Sequence, residues 1–183
     1  MEESIRQALE DIRSGDGQAQ NRAYTALMAA TEQPVDWAYE VWDDLLAGLT
    51  HKDNHVRAIS AQVLSNLAKS DPQGRMLADF DRLLGVTRDE RYVTARHAMQ
   101  SIWKVGLAGE AQRQCTVSGL ALRFQEAGGE KNGTLTRFDI QQGLRNLYDQ
   151  THDEKILTQA LELIETEQDP KYRKKYATLW RKL

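Results

Sequence analysis

Two distant stretches of this chain are variants of one pattern. Asp53-Asn-His-Val-Arg57-Ala-Ile-Ser-Ala61-Gln-Val-Leu64 lies over Asp169-Pro-Lys-Tyr-Arg173-Lys-Lys-Tyr-Ala177-Thr-Leu-Trp180, matching a capping acid, an arginine, a small residue and a large apolar residue. Their starts are 116 positions apart, close to three units of about thirty-nine. Echoes at Arg22/Ala26, Arg96/Trp103 and Arg137/Leu144 complete about five units, although Gln100 and Gln141 occupy the small-residue position in two of them. Thr94/Ala98 is an alternative register to Arg96. A period of this length is that of a helix pair which cannot bury its apolar face alone and must stack on a neighbour.

The rest of the chain agrees with helices. Ala, Leu, Gln, Glu and Arg are abundant, only three residues are proline, and no segment reads as a strand. Asp16, Asp36, Asp53, Asp71, Thr151 and Asp169 stand where a short side-chain oxygen would accept from a first-turn N–H. Pro72 and Pro170 follow two of them at N1, and Thr151 to Glu154 has capping-box spacing. The helices expected are 2–14, 17–31, 35–49, 53–69, 73–86, 90–106, 110–127, 134–150, 152–166 and 170–182. The Gly128 to Gly133 stretch reads as a surface turn, and no linker divides residues 1–183, so a single domain is expected.

Asp53, Val56, Arg57 and Ala61 form an Asp-x-x-Val-Arg-x-x-Ala pattern that resembles the second-helix signature of HEAT-like and armadillo-type repeats. The resemblance is good at residues 45–68, fair at 161–182 and poor between 88 and 150. It implies an all-α fold, a right-handed α-α superhelix or solenoid of about five helix pairs. Such a fold implies in turn a scaffold without catalytic activity, presenting a concave surface to a protein or peptide. A cation in a helix's first turn opposes the macrodipole, so each repeat arginine should lie on the core and be held by a capping Asp of its own or the adjacent unit. This structural role outweighs direct ligand contact.

No composition or motif points to chemistry. His51 and His55 have metal-ligand spacing but span a turn and lack the Glu of a metalloprotease, so no metal and no cofactor is expected. His97 and His152 are isolated. Cys115, alone, excludes an internal disulfide and reads as a small apolar residue in a reducing, cytoplasmic protein. The acidic N-terminus, MEESIRQALEDIR, has no leader-like or membrane-spanning run, so no membrane association is expected. Nothing identifies a small-molecule substrate.

Charge and aromatic residues supply the candidate binding positions. Residues 1–50 hold three Arg and ten Asp/Glu, a net of −7, leaving 21 basic and 17 acidic residues, a net of +4, for the remainder. The terminal helix carries Lys171, Arg173, Lys174, Lys175, Arg181 and Lys182 with no acid after Asp169. Trp42, Trp103 and Trp180 read as packing residues, whereas Trp37, in the first turn of its helix beside Asp36, Glu40, Asp43 and Asp44, is expected to be exposed. The binding surface expected is therefore a groove of second helices around Arg96, Arg137, Lys171, Arg173, Lys174 and Lys175, with Trp37 and the acidic residues at the far end. The competing reading is nucleic-acid binding, by a protein similar to the HEAT-like alkylpurine DNA glycosylases, although a pI near 5.8 argues against it. A HEAT-like tetrapyrrole-lyase relative is weaker still, for lack of a Cys or His cluster.

Overall fold

The computed structural model describes residues 1–181, so Lys182 of the expected terminal helix lies outside the described residues. Among these there are ten α-helices and no strand: α1 Glu3–Asp11, α2 Gly17–Ala30, α3 Ala38–Gly48, α4 Asn54–Leu67, α5 Arg75–Gly85, α6 Tyr92–Ile102, α7 Glu110–Glu126, α8 Gly133–Thr151, α9 Glu154–Glu165 and α10 Pro170–Ala177. The protein is all-α. A 3-10 turn extends α4, α5, α6, α7 and α10 at the C-terminal end, as is common where a helix tightens before a turn.

A side-chain cap sets four of the ten helix starts among the described residues. The carboxylates of Asp16, Asp53, Asp153 and Asp169 accept from the N–H two residues on, at 2.9, 2.8, 3.0 and 2.8 Å. Three expected caps differ. Thr151 instead ends α8, its hydroxyl donating to the Leu147 carbonyl, and His152 takes a left-handed conformation that stops the helix before Asp153 starts the next. Asp71 caps from farther back, accepting from the N–H groups of Arg75 and Met76 at 2.9 and 2.8 Å while Gly74, at φ 71°, turns the chain between them; Pro72 lies in that turn, not at N1. Asp36 caps nothing: the Val35 N–H donates to Ser70 Oγ, and α3 begins only after Trp37.

The helices pack as two layers. Each odd-numbered helix contacts its successor (α1 with α2, α3 with α4, through α9 with α10), α3, α5, α7 and α9 also contact one another in order, and so do α2, α4, α6, α8 and α10. The even-numbered helices start 37, 38, 41 and 37 residues apart. Side-chain hydrogen bonds recur at the same offset: Tyr24 to Gln62, Trp42 to Asp79, Ser65 to Ser101 and Trp180 to Gln141 span 38, 37, 36 and 39 residues. The buried apolar cluster runs continuously from Ile5 to Trp180 between the layers.

The turn before α8 tests how tightly this spacing is held. A Cβ at Gly133 would lie 1.8 Å from the Ala127 carbonyl oxygen, a backbone atom that cannot swing aside. Gly133→Ala is therefore expected to lower stability by about 2–3 kcal/mol despite alanine's better helix propensity. Urea unfolding checks this, and an equal or higher midpoint would contradict it.

Candidate functional site

Charge is segregated between the two layers. The even-numbered helices hold nine Lys/Arg against two Asp, a net of +7. The odd-numbered helices hold six Lys/Arg against thirteen Asp/Glu, a net of −7. Within the helices, alternate members thus differ in sign, and acids of the connecting turns, Asp89 and Glu167 among them, offset part of the difference. A layer of one sign attracts an oppositely charged partner at distances up to about 10 Å at ordinary salt.

Several of these cations are internal fasteners. Arg57, in the first turn of α4, grips Asp89 in the turn before α6 through Nε and Nη2, at 2.5 and 2.9 Å, and its Nη1 donates to the carbonyls of His51 and Lys52. Burial pushes the Asp89 carboxyl upward, but hydrogen bonds from Arg57 and the Arg91 N–H outweigh it and hold the group below its ordinary range. Arg137 of α8 reaches Glu167 before α10 at 2.8 Å, donates to the Phe124 carbonyl and stacks on the Phe124 ring at 4.7 Å. Glu167 behaves like Asp89: burial raises it, and the Asp169 N–H and Arg137 lower it further than that. Arg137 is thus packed inside, not displayed.

Arg173 is held differently from the expectation. Its Nε and Nη2 donate to the Glu167 carbonyl at 2.9 and 2.6 Å, and the nearest carboxylate, Glu165, is 4.0 Å away. Arg96 pairs with Asp139 on the next even helix, at 2.8 and 3.3 Å, and leaves 46% of its side chain exposed. In α2 the position corresponding to Arg57, three residues after the helix start, is Gln20, which donates to Asp53 at 2.7 Å, while Arg22 points outward. In α6 that position is the buried Ala95.

Lys171, Lys174 and Lys175 are exposed and form no ion pair among the described residues. Lys171 and Lys175 lie over the rings of Tyr172 and Phe138, at 5.7 and 4.9 Å, so α8 and α10 together present cations beside aromatic surface. Toward the other end of the same layer, α2, α4 and α6 enclose a cleft of about 330 Å³ lined by Tyr24, His55, Ile59, Gln62 and His97. Of the expected binding positions, Arg96, Lys171, Lys174 and Lys175 therefore share an accessible layer. Trp37 does not join them. Only 8% of it is exposed, because the first turn of α3 packs into the core.

The remaining polar groups have local roles. His51 Nδ1 accepts from the Asp53 N–H, and His55 Nδ1 lies 3.2 Å from the Asp53 carboxylate, so both histidines flank one helix cap. No group of His, Cys, Asp or Glu among the described residues is arranged to hold a metal. Burial raises the Cys115 thiol, with the charge of Asp81 adding to it, so the thiolate is disfavoured. The 128–133 turn is pinned by Glu130, which accepts two 2.7 Å bonds from the buried Arg123. No helix among the described residues is long and apolar enough to cross a membrane. Comparison with models of known protein families and with curated proteins finds no match to this chain.

Proposed function

We propose that the chain is a non-enzymatic interaction module of HEAT-like character, a right-handed superhelix of five helix pairs whose even-numbered helices bind an acidic protein or peptide. The observation that carries this is the basic surface of the even-numbered helices, which hold nine Lys/Arg against two Asp and leave Lys171, Lys174 and Lys175 exposed and without an ion pair among the described residues. Stacked helix pairs curve so that one layer forms an extended concave face. A basic concave face suits an acidic extended segment. The lone, half-buried cysteine fits a reducing compartment, and we place the module in the cytoplasm.

The test is fluorescence anisotropy with a labelled peptide rich in Glu and Leu and, separately, a labelled DNA duplex, each at low and physiological salt. The acidic peptide is expected to bind. The triple variant K171E/K174E/K175E should weaken it by about tenfold or more, as three reversed charges face the ligand. Its melting midpoint should be unchanged, because exposed charges contribute little to folding. Duplex binding without peptide binding, with a log–log salt slope of about −0.9 per neutralised phosphate, would replace this reading with a nucleic-acid one. Release of a free base would make the protein an enzyme.

A further inference from the structure

The C-terminal ends of α2, α4 and α6 meet at a second cleft, of about 320 Å³, on the basic layer. Lys69, in the 3-10 turn after α4, and Lys104, in the one after α6, both line it. Lys69 Nζ donates to the Glu32 carbonyl at 2.7 Å and Lys104 Nζ to Asn66 Oδ1 at 2.8 Å. Neither forms an ion pair with a carboxylate among the described residues. Each ammonium has one neutral partner and donors to spare.

Both amines are shifted downward. Burial lowers the Lys69 amine against the opposing pull of Glu32. Burial also lowers Lys104, the positive charge of Lys69 lowers it further, and Glu32 again opposes. The two ammonium groups thus line one half-buried cleft, the charge of one is felt at the other, and each keeps donors that an anion entering the cleft could accept from. Trp103, half-buried with its indole N–H on the Gln100 carbonyl, forms one wall, and the exposed Leu107 continues it outward.

We propose that the Lys69–Lys104 cleft is an anchor subsite for a carboxylate side chain of the acidic partner, with an adjacent apolar residue of that partner lying on Trp103 and Leu107. The inference rests on the acidic-partner reading above and assigns it a fixed point. A carboxylate fits better than a phosphate. The cleft holds two lysines, and it lacks the arginine fork or helix N-terminal N–H groups that favour a phosphate. Glu32, on the rim, is an intramolecular competitor for the same two ammonium groups.

The experiment follows the Trp103 indole N–H resonance in 15N-labelled protein during titration with the Glu/Leu peptide, its Gln/Leu counterpart and inorganic phosphate. The Trp103 resonance is expected to shift saturably with the Glu/Leu peptide alone. K69M/K104M should weaken that titration by about tenfold, and Glu32→Gln should strengthen it by about threefold. Shifts confined to α8 and α10 with Trp103 unmoved would overturn the subsite and leave the acidic-partner reading standing. An equal response to the Gln/Leu peptide, or saturation by phosphate, would overturn the carboxylate assignment. Absence of any shift with the Glu/Leu peptide would overturn both. Should K69M/K104M fold poorly, the three wild-type titrations and Glu32→Gln still decide.

Discussion

Trp42→Ala is expected to cost about 3–5 kcal/mol, a large part of the roughly 5–15 kcal/mol that holds a typical domain together. Trp42 is fully buried in α3, and its ring meets Tyr39 edge-on at 5.8 Å. Its indole N–H donates to Asp79 on α5 at 3.0 Å, across one interval of the stack. Truncation removes the largest fully buried side chain, leaves a cavity between α3 and α5, and strips the half-buried Asp79 of a donor. Arg75, whose guanidinium lies 5.6 Å from both aromatic rings, loses one of them. Denaturant unfolding should show the midpoint falling steeply, whereas Trp42→Phe, which keeps most of the volume and loses the hydrogen bond, should cost about half as much. A loss below about 1 kcal/mol for alanine would contradict this account of how α3 and α5 are joined.

The Arg57–Asp89 pair should behave as a unit. Arg57→Ala and Asp89→Ala are each expected to cost about 2–3 kcal/mol, since each leaves a half-buried partner without its counter-charge. The double variant should cost less than the sum by a coupling of about 1–2 kcal/mol. Additive losses would show that the two residues stabilise the fold independently. The pair also sets a pH dependence. Asp89 and Glu167 are both held below their unfolded values. Their contribution is therefore fully present above about pH 4–5, where the unfolded carboxylates are already charged, and is lost as the pH falls through the lower folded values. Asp89→Asn, which has no such charge, should flatten the loss of stability on acidification. Stability falling equally in both proteins from pH 5 downward would remove the pair as a cause.

What could be read from the sequence was local. Asp16, Asp53 and Asp169 are caps because a carboxylate two residues before an N–H needs nothing beyond its own turn. Asp36 has the same chemistry and caps nothing: the helix starts one residue later, after Trp37, and the neighbouring Val35 N–H is tied to Ser70, thirty-five residues on. Arg57 was recognisable since its turn retains cap, arginine and small residue together. Its counterpart in α2 is hidden in the sequence, because a neutral Gln20 makes the equivalent contact with Asp53, two residues before the more conspicuous Arg22. Trp37 is buried against expectation, because a position at a helix start is exposed only when no neighbour packs on it. The charged layers were latent in the sequence: Glu40, Asp43 and Asp44 belong to one helix and Lys171, Lys174 and Lys175 to another, but the sorting appears only once alternate helices are assigned to opposite sides. Lys69 and Lys104, thirty-five residues apart, come to one cleft only because the turns that follow α4 and α6 are in contact, which neither composition nor the repeat period shows.

Amide NMR mapping tests most directly whether the even-numbered layer meets an acidic partner. With the Glu/Leu peptide at low salt, the shifted backbone resonances should cluster on α2, α4, α6, α8 and α10 and fade as salt rises toward physiological strength, because the attraction is between exposed charges. Shifts concentrated on the acidic odd-numbered helices, or a spectrum unchanged by the peptide at low salt, would contradict it.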